Sequence, residues 1–416
     1  MGINELLPLP LPPPGSTVVV AMSGGVDSSL VAVLMAERGC KVVGATMSIY
    51  SDAAAFPDLE GEGCYGPGEE VNEDACRRIC DSIGAEYRVV DLSKDYEREV
   101  LDYFKAEYRS GRTPNPCLRC NPLIKFGLLP RALREQGVRF DYFATGHYVR
   151  LFAPGGDTAR GVYLSPSRDP AKDQSYFLQR VDKDILSISR FPLGGMTKAE
   201  VRVLAREKGV ETADKPDSQD FIPTNDLTPI FADKPSEPGE IVDEHGRAVG
   251  KHQGIIRYTI GQRRGLGVSL GGDPMYVVSL DAPHNRVVVG PERSLYSHSL
   301  EASDATWAAG FGQEPLRAYV KIRLASPPAL ALVTPLSDGK VRVDFDEPQR
   351  AVAPGQSAGF YVKADLGDGA IMSDPPSPED AVRPRSRAAA GRVLAGTILA
   401  GGAIIERSLE RAAATT

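Results

Sequence analysis

The sequence TVVVAMSGGVDSSLVAVLMAERG, residues 17–39, places a short β-branched run, a glycine-rich turn and an apolar helical repeat in direct succession. The run TVVVA favours a buried strand, and the apolar spacing after Ser28 predicts a helix that ends at Gly39. A second buried strand, KVVGATM at 41–47, follows at once. Strand, turn, helix and strand in this order predict a βαβ unit with parallel strands.

The same alternation continues to about residue 225. We expect a helix over about 71–83, a strand at YRVVDL (87–92), an amphipathic stretch near 96–108 and a strand at FDYFATG (140–146). The predicted fold class is therefore α/β, with a Rossmann-like parallel sheet covered by helices on both faces. Such sheets bind their ligands at the carboxyl ends of the strands.

After about residue 225, Gly and Pro become frequent and short strands alternate with turns, which predicts antiparallel β structure. We expect a catalytic domain over 17–225, a small central domain over 226–292 and a C-terminal β-barrel or sandwich over 296–410. Two stretches are expected to be disordered because of their composition. They are a Pro-rich tail at 1–16 and a Pro-, Ser- and Arg-rich insertion near 372–390.

The composition excludes several classes of protein. With 42% hydrophobic and 25% charged residues, and no run of about 18 apolar residues, the chain is expected to be globular and to have no membrane partner. Six cysteines without a secretion signal predict reduced thiols in the cytoplasm. A net charge of −7 restricts any RNA contact to a local basic patch. The candidates are Arg109, Arg112, Arg119 and Lys125, and Arg257, Arg263 and Arg264.

The glycine-rich turn has the composition of a pyrophosphate-binding loop. Gly24 and Gly25 let the backbone approach an anion closely, serine hydroxyls add donors, and the helix N-terminus presents N–H groups without intrahelical partners. Asp27 would repel a phosphate unless it holds Mg²⁺. The alternative is a tight turn in which Asp and Ser only cap the helix.

A second informative segment is TPNPCLRCNPLIKF, residues 113–126. Cys117 and Cys120 lie three positions apart at an expected helix start, where the helix dipole and the neighbouring Arg119 and Lys125 would favour a thiolate. The pair could equally be two packed thiols or half of a zinc site. A zinc site would need Cys64, Cys76 or Cys80 to complete it.

The turn SGGVDS resembles the PP-loop of the ATP pyrophosphatases, which cleave ATP between the α and β phosphates and place AMP on a carbonyl oxygen. Further segments make the chain similar to the family of tRNA-specific 2-thiouridylases, in family order from about residue 17 to 405. Besides the cysteine segment, they are ATGHY (144–148), KDQSYF (172–177), KPDSQD (215–220), YTIGQRRGLG (258–267) and APGQ (353–356).

The resemblance implies a PP-loop domain, a small central tRNA-binding domain and a C-terminal barrel that clamp a tRNA anticodon arm. ATP, with Mg²⁺, would adenylate the C2 oxygen of the wobble uridine, and a sulfur species at the nucleophile Cys120 would displace AMP to give 2-thiouridine. The implied ATP-binding residues are Ala21, Met22, Ser23, Gly24, Gly25, Val26, Asp27, Ser28, Met47 and Gly146. The implied tRNA contacts are Asn115, Pro116 and Cys117 at the target base, and Lys172, Asp173, Gln174, Arg323 and Leu324 elsewhere.

The chain departs from the family pattern in its cysteines. Many members carry a second cysteine after the DSQD run, but Phe221-Ile-Pro223 follows here and no cysteine occurs after Cys120. Either Cys117 supplies the missing thiol of a persulfide relay, or Cys117 and Cys120 hold an iron–sulfur cluster with a third cysteine, for which Cys64 is the first choice. The sulfur donor could be a protein or sulfide. Rival interpretations are another PP-loop adenylating ligase and a non-catalytic RNA-binding relative that lost sulfur transfer.

Overall fold

The computed structural model describes residues 5–50, 64–66, 69–216, 221–222, 227–268, 274–367 and 394–409. The insertion expected near 372–390 lies outside these residues. No helix in the described part of the chain is long and apolar enough to cross a lipid bilayer.

The first half of the chain alternates strands and helices as predicted. In chain order its elements are β1 (Leu6–Pro8), β2 (Thr17–Ala21), α1 (Val26–Glu37), β3 (Lys41–Ser48), α2 (Glu69–Ser82), β4 (Glu86–Asp91), α3 (Ser93–Tyr96), α4 (Asp102–Arg109), α5 (Cys117–Arg119), α6 (Leu129–Glu135), β5 (Tyr142–Thr145), β6 (Val149–Pro154), β7 (Tyr163–Pro166), α7 (Lys183–Ile188), β8 (Ser189–Arg190) and α8 (Lys198–Glu207). Two π-helical segments, Glu97–Leu101 and Cys120–Leu128, directly follow α3 and α5.

Five of these strands form a sheet in the order β4-β3-β2-β5-β8, and every pairing in it is parallel. In β2, Val19 packs into the core on one face of the sheet, whereas Val18 and Val20 pack with α1 on the other. Burial on both faces explains why the strand is a continuous apolar run rather than an alternating one. The predicted α/β fold class is confirmed.

The second half of the chain is built from β strands. These are β9 (Gly239–Asp243), β10 (Ala248–His252), β11 (Met275–Asp281), β12 (Arg286–Pro291), β13 (Tyr296–Trp307), β14 (Leu316–Lys321), β15 (Ala329–Pro335), β16 (Val341–Arg350), β17 (Ser357–Lys363) and β18 (Thr397–Leu409). The first four form a small sheet in the order β10-β9-β12-β11. The last six close an antiparallel barrel in the order β13-β16-β15-β14-β17-β18, so the predicted C-terminal barrel is confirmed.

The N-terminal residues 5–16, here called the N-terminal strap, are ordered, so the prediction of a disordered tail is wrong for them. Leu6–Pro8 pairs antiparallel with β6, and Leu6 is buried. Prolines cannot donate a backbone hydrogen bond, but their carbonyls still accept one. Arg190 Nε donates to the Pro10 carbonyl at 2.7 Å, and Arg38 Nε donates to that of Pro12 at 2.6 Å. Composition alone could not reveal these partners, which lie far away in the sequence.

Candidate active site and its family

The glycine-rich loop lies at the carboxyl end of the central strand β2 and leads into α1. Gly24 has φ +71°, and a Cβ atom there would lie 2.8 Å from Cβ of Asn72 and 2.9 Å from its backbone. The Ser28 hydroxyl accepts from the Ser23 N–H at 3.1 Å and donates to the Gly25 carbonyl at 3.3 Å. The loop is therefore closed on itself and packed so tightly against α2 that only glycine fits at position 24.

Asp27 has partners that the sequence did not reveal. The buried Lys198 places Nζ 2.8 Å from both carboxylate oxygens, and the Tyr148 hydroxyl donates to Oδ1 at 2.8 Å. The expectation that only Mg²⁺ would explain a carboxylate in this loop is therefore wrong, because the protein supplies its own counterion. A capping box that joins Thr197 and Glu200 fixes the start of α8 and so the position of Lys198.

The neighbouring strands β3 and β5 bring further residues to the loop, because parallel strands end at the same edge of the sheet. A Cβ atom on Gly146, just after β5, would lie 2.9 Å from both Asp27 Cβ and the Ser28 nitrogen. Met47 is half-buried near the end of β3. Glu69 fixes that end by accepting from the Ser48 hydroxyl at 2.8 Å and from the backbone N–H groups of residues 49 and 50. The residues expected around ATP therefore lie at the carboxyl ends of three adjacent strands.

Cys117 and Cys120 are half-buried and begin α5 and the following π-helix. Asn115 Oδ1 accepts from the Cys117 N–H at 3.0 Å, and Asn121 Nδ2 donates to the Cys117 carbonyl at 3.0 Å. π-Helical segments are rare and often mark functional sites. The backbone around Cys117 is thus held by the side chains on either side of the pair.

The expectation that this position favours thiolates is wrong. Burial raises the pKa of Cys117 to about 12 and that of Cys120 to about 11, and Lys125 only partly opposes the rise. Arg119 points elsewhere: its Nε donates to the Glu99 carbonyl at 2.9 Å, and its guanidinium lies 4.3 Å from the ring centroid of Tyr103. Desolvation therefore outweighs the nearby positive charge, and both thiols are held protonated.

Cys64 belongs to the same neighbourhood. It contributes to the raised pKa values of both Cys117 and Cys120, and Tyr65 stacks on Tyr96 with ring centroids 5.5 Å apart. Tyr65 also donates its N–H to the Phe221 carbonyl at 2.9 Å, next to the segment where many family members carry their second cysteine. Among the described residues, however, no three His, Cys, Asp or Glu side chains are grouped so that they could hold a metal ion.

Cys76 and Cys80 do not complete a zinc site with the pair. Both are buried in α2, where the Cys80 thiol lies 3.6 Å from the Met22 sulfur. A Cβ atom on Gly44 would lie 2.4 Å from the Cys80 sulfur, so this thiol is packed against β3. His147 is likewise a core residue: it is buried, its Nδ1 is 2.8 Å from the Thr145 hydroxyl, and burial holds its pKa well below the usual value.

Several residues expected to contact tRNA have internal partners. Asp173 is only 1% exposed, and its carboxylate accepts from the backbone N–H of Ser167 at 3.1 Å and from the Ser175 hydroxyl at 2.9 Å. Gln174 accepts from the Tyr148 N–H at 2.8 Å, so this segment is joined to the Asp27 site. Arg323 donates to the Ala351 carbonyl within the barrel. Lys172 and Leu324 are half-buried.

The first candidate basic patch is largely neutralised. Arg109 Nη2 is 3.2 Å from Asp233, Arg112 is 2.7 Å from both Glu107 and Glu406, and Arg119 is 3.6 Å from Glu99. These arginines join elements of the fold to one another, which the sequence could not indicate because most of their partners are distant along the chain. In the second candidate patch, Arg257, Arg263 and Arg264 are exposed.

A closed glycine-rich loop that enters a helix at the centre of a parallel sheet, without the lysine of a Walker motif, defines a PP-loop nucleotide-binding protein. Family models match the chain in three parts: the tRNA methyl transferase HUP domain over residues 16–223, the tRNA methyl transferase PRC-barrel domain over 231–291 and the aminomethyltransferase beta-barrel domain over 297–371.

Three relatives are named tRNA-specific 2-thiouridylase MnmA. That of Endomicrobium trichonymphae is 43% identical over 364 residues, which are 85% of this chain and 98% of the relative. That of Acetivibrio thermocellus is 43% identical over 83% of this chain and 95% of the relative. That of Geobacter metallireducens is 44% identical over 83% and 93%. The chain belongs to the family of tRNA-specific 2-thiouridylases.

Proposed function

We propose that the chain is an ATP-dependent tRNA-uridine 2-sulfurtransferase, which adenylates the C2 oxygen of the wobble uridine and replaces that oxygen by sulfur. The observation that carries this proposal is the junction at residues 145–148. There Gly146 packs on Asp27 of the PP-loop, and His147 packs on Phe126, whose neighbour Lys125 acts on both cysteine pKa values. A loop suited to cleaving ATP therefore adjoins the thiols that would use the activated base.

ATP binds at the PP-loop. Residues 21–28 contact its phosphates and Met47 lies against the adenine. Gly146, which packs on Asp27 and Ser28 of the loop, lies beside the nucleotide. Asp27 is the carboxylate that would hold Mg²⁺, although Lys198 already neutralises it, so the ammonium and the ion are alternative counterions. Mg²⁺ would supply neutralisation of the phosphate charge as the α–β bond breaks.

Cys120 carries the transferable sulfur and Cys117 resolves it, which is the route that needs only residues near one another in the structure. The terminal sulfur of a Cys120 persulfide attacks C2 of the adenylated uridine, and AMP leaves with the oxygen. The Cys117 sulfur then attacks the Cys120 sulfur as the Cys117 thiol gives up its proton to solvent, so that a Cys117–Cys120 disulfide forms and the transferred sulfur stays on C2. Sulfide can attack the Cys120 sulfur of this disulfide directly, which regenerates the Cys120 persulfide and releases the Cys117 thiol. Alternatively, an external thiol reduces the disulfide, and the Cys120 thiolate then takes the outer sulfur of a persulfide on a donor protein, which leaves the donor as a thiol.

An iron–sulfur cluster is the second candidate route, because Cys64, Cys117 and Cys120 supply three thiols of the right chemistry. Their arrangement in the described structure is not that of metal ligands. The described structure therefore supports the persulfide relay rather than the cluster.

The tRNA substrate is bound through its anticodon arm, with Asn115 to Cys117 at the target base and the barrel residues Arg323 and Leu324 on the RNA. The side chain of Asp173 acts indirectly, since it is buried and holds the loop that carries Lys172 and Gln174. Gln174 in turn holds the backbone of Tyr148. Contact of the tRNA with this loop would therefore affect the position of Tyr148, whose hydroxyl donates to Asp27.

The experiment is thiolation of unmodified tRNA by the purified chain with ATP and either sulfide or a persulfide donor, followed by mass spectrometry of the nucleosides. We expect 2-thiouridine, with AMP and pyrophosphate formed in equal amounts. Cys120→Ser and Cys117→Ser should each abolish the product, whereas Cys40→Ser, a buried thiol away from the pair, should not. Full thiolation by the Cys120→Ser protein would refute the proposal and favour a non-catalytic role for the pair.

Comparison of aerobic and anaerobic preparations separates the two sulfur routes. The relay predicts activity in air, a Cys117–Cys120 disulfide trapped after one turnover and no loss in Cys64→Ser. A cluster predicts bound iron and sulfide, oxygen-sensitive activity and loss of both iron and activity in Cys64→Ser. Adenylation of a small carbonyl compound without tRNA would instead indicate another PP-loop ligase.

A further inference from the structure

The barrel is hydrogen-bonded to the backbone just before the cysteine pair. Thr113 donates its N–H to the Pro354 carbonyl at 2.8 Å, and Gln356 Nε2 donates to the Thr113 carbonyl at 3.0 Å. The backbone N–H and the carbonyl of the buried Thr113 are therefore both hydrogen-bonded to the APGQ loop of the barrel, residues 353–356. Gly355 has φ +88°, and a Cβ atom there would lie 2.9 Å from the Thr113 nitrogen.

A second attachment lies one residue earlier. Arg112 Nη1 is 2.7 Å from Glu406 of β18, and its Nη2 donates to the Ile405 carbonyl at 3.3 Å. On the catalytic side, Arg112 Nε donates to Glu107 at 2.7 Å. Arg112 thus joins the end of α4 to the last strand of the barrel.

The APGQ loop is itself anchored on β18. Gly355 donates its N–H to the Ile405 carbonyl at 2.9 Å, and Ile405 donates its N–H to the Gln356 carbonyl at 2.7 Å. Barrel strand, APGQ loop and Thr113 are therefore successive members of one hydrogen-bonded set. If the barrel is displaced and these hydrogen bonds stay intact, Thr113 must therefore move with it.

The connection from Thr113 to Cys117 is short and stiff. Pro114 and Pro116 fix two of the backbone dihedral angles in it, and Asn115 closes a turn onto the Cys117 N–H at 3.0 Å. A segment with this little freedom transmits a displacement at Thr113 to the cysteine pair rather than absorbing it.

We propose that Gln356 and the Arg112–Glu406 ion pair are positioning residues through which the barrel sets the place of Cys117 and Cys120. They touch neither the thiols nor the nucleotide, and act only through Thr113. The catalytic meaning of this inference rests on the proposed function. If the barrel binds tRNA through Arg323, then binding should also affect the position of the thiols. The reason is that Arg323 donates to the Ala351 carbonyl, two residues before the APGQ loop.

The test measures how quickly iodoacetamide alkylates each cysteine in the full-length chain, by mass spectrometry of its peptides, together with kcat and KM for tRNA thiolation. The variants are Gln356→Met and Glu406→Gln. They lie on the barrel side of the contact, and Glu406 is 40% exposed, so its substitution leaves the core intact. The matched control is Gln349→Met, because within the described part of the chain the Gln349 side-chain amide bonds only to the Glu347 carbonyl of its own strand.

Loss of one hydrogen bond should loosen residues 112–116 and bring solvent to the thiols, so alkylation of Cys117 and Cys120 should accelerate about tenfold. The kcat for thiolation should fall by a similar factor while KM for tRNA stays within about twofold, since the proposed tRNA contacts outside the loosened segment, such as Arg323 and Leu324, are unchanged. Cys64, which is exposed, and the Gln349→Met protein should show wild-type rates.

Wild-type alkylation of Cys117 and Cys120 in both variants would overturn the proposal, whatever happens to the thiolation rate. Faster alkylation in Gln349→Met as well would also overturn it, because the effect would then be general loosening of the barrel. These outcomes do not depend on the proposed function. Failure of the wild-type protein to thiolate tRNA would refute that function while leaving the alkylation measurement intact.

Discussion

At Asp27, partners from distant parts of the chain meet on one carboxylate in the middle of an anion-binding loop. Lys198 comes from the first turn of α8 and Tyr148 from the end of the segment after β5. The loop needs a net positive environment to bind phosphates. The Lys198 ammonium neutralises the Asp27 carboxylate before any ligand binds, so the carboxylate does not oppose the phosphates. Neither partner could be assigned from sequence, since a capping box predicts where a helix begins but not what its first side chain reaches.

Replacement of Lys198 tests this arrangement. Lys198→Met should lower the rate of pyrophosphate release about tenfold or more, because an uncompensated Asp27 would repel the phosphates. Tyr148→Phe removes one hydrogen bond to the same carboxylate and should have a smaller effect. The readouts are pyrophosphate release with tRNA present and calorimetric binding of a non-hydrolysable ATP analogue. Lys208→Met removes a comparable ammonium, paired with Glu37, and serves as the control. Equal behaviour of the Lys198 and Lys208 variants would refute a role for Lys198 in the site.

The thiol pair has a pH dependence of its own. With the pKa of Cys120 raised to about 11, its reactive thiolate is a minor species at neutral pH. The thiolate fraction therefore grows about tenfold for each pH unit up to that value, whereas an ordinary thiol levels off near pH 9. Alkylation rates of Cys120 measured by peptide mass spectrometry between pH 7 and pH 10 should rise throughout, with circular dichroism to confirm an intact fold. A plateau near pH 9, as for an ordinary thiol, would show that the thiol is not desolvated as described.

At the scale of elements, the PP-loop depends on its fit against α2. In Gly24→Ala, the new methyl group would meet the Asn72 backbone at 2.9 Å, so α2 or the loop must shift. We expect loss of measurable ATP binding, with a fall in stability of about 1–3 kcal/mol from backbone strain and overlap. Gly209→Ala is the matched control, since its φ of +69° imposes similar strain and, apart from its chain neighbours, no described residue has an atom within 4 Å of the added methyl. ATP binding by calorimetry and thermal unfolding distinguish the two. Normal ATP binding by Gly24→Ala would mean that the fit against α2 is not required.

The elements that could be predicted are those whose cause is local. Strands β2 and β3 and helix α1 follow from apolar periodicity and from glycines at their ends, and the structure confirms them. The π-helix at Cys120–Leu128 could not be predicted, because its spacing differs from that of an α-helix by a fraction of a residue per turn. The pairing of β1 was missed for another reason: its partner β6 lies more than 140 residues further on.

For the whole molecule, the family resemblance predicted which three domains the chain contains and in what order, which hydrophobic periodicity alone could not do. It could not supply the contacts between them. The carbonyl of Thr113 and the side chain of Gln356 are 243 positions apart, and neither residue type signals such a partner. The charged cluster from Arg109 to Arg119 was open to interpretation as an RNA surface until its carboxylate partners were located in space.

The N-terminal strap provides a prediction at this scale. Leu6 is 1% exposed, and its cluster includes Phe152 and Tyr163 of the catalytic domain and Leu366 and Ile398 of the barrel side. Leu6→Asp should destabilise the protein by about 2–5 kcal/mol, because it buries a charge and removes apolar contact. Limited proteolysis should then cleave more readily between the catalytic domain and the barrel. Leu336→Asp places the same charge at a leucine that is 45% exposed and should leave both properties unchanged. Wild-type resistance to proteolysis in Leu6→Asp would show that the strap does not join the domains.

The partners of the N-terminal strap become available at different times during synthesis of the chain. Leu6 is bridged to Leu366, a residue translated about 360 positions later, which at about 5–20 residues per second is an interval of roughly 18–70 s. Its pairing with β6 becomes possible much sooner, once residue 154 has left the ribosome. The strap can therefore join the catalytic domain early, whereas its contacts with the barrel side become possible only after Leu366 and Ile398 have emerged. Until then, part of the apolar surface around Leu6 is open to chaperones, so growth of the chain sets the order in which the domains are joined.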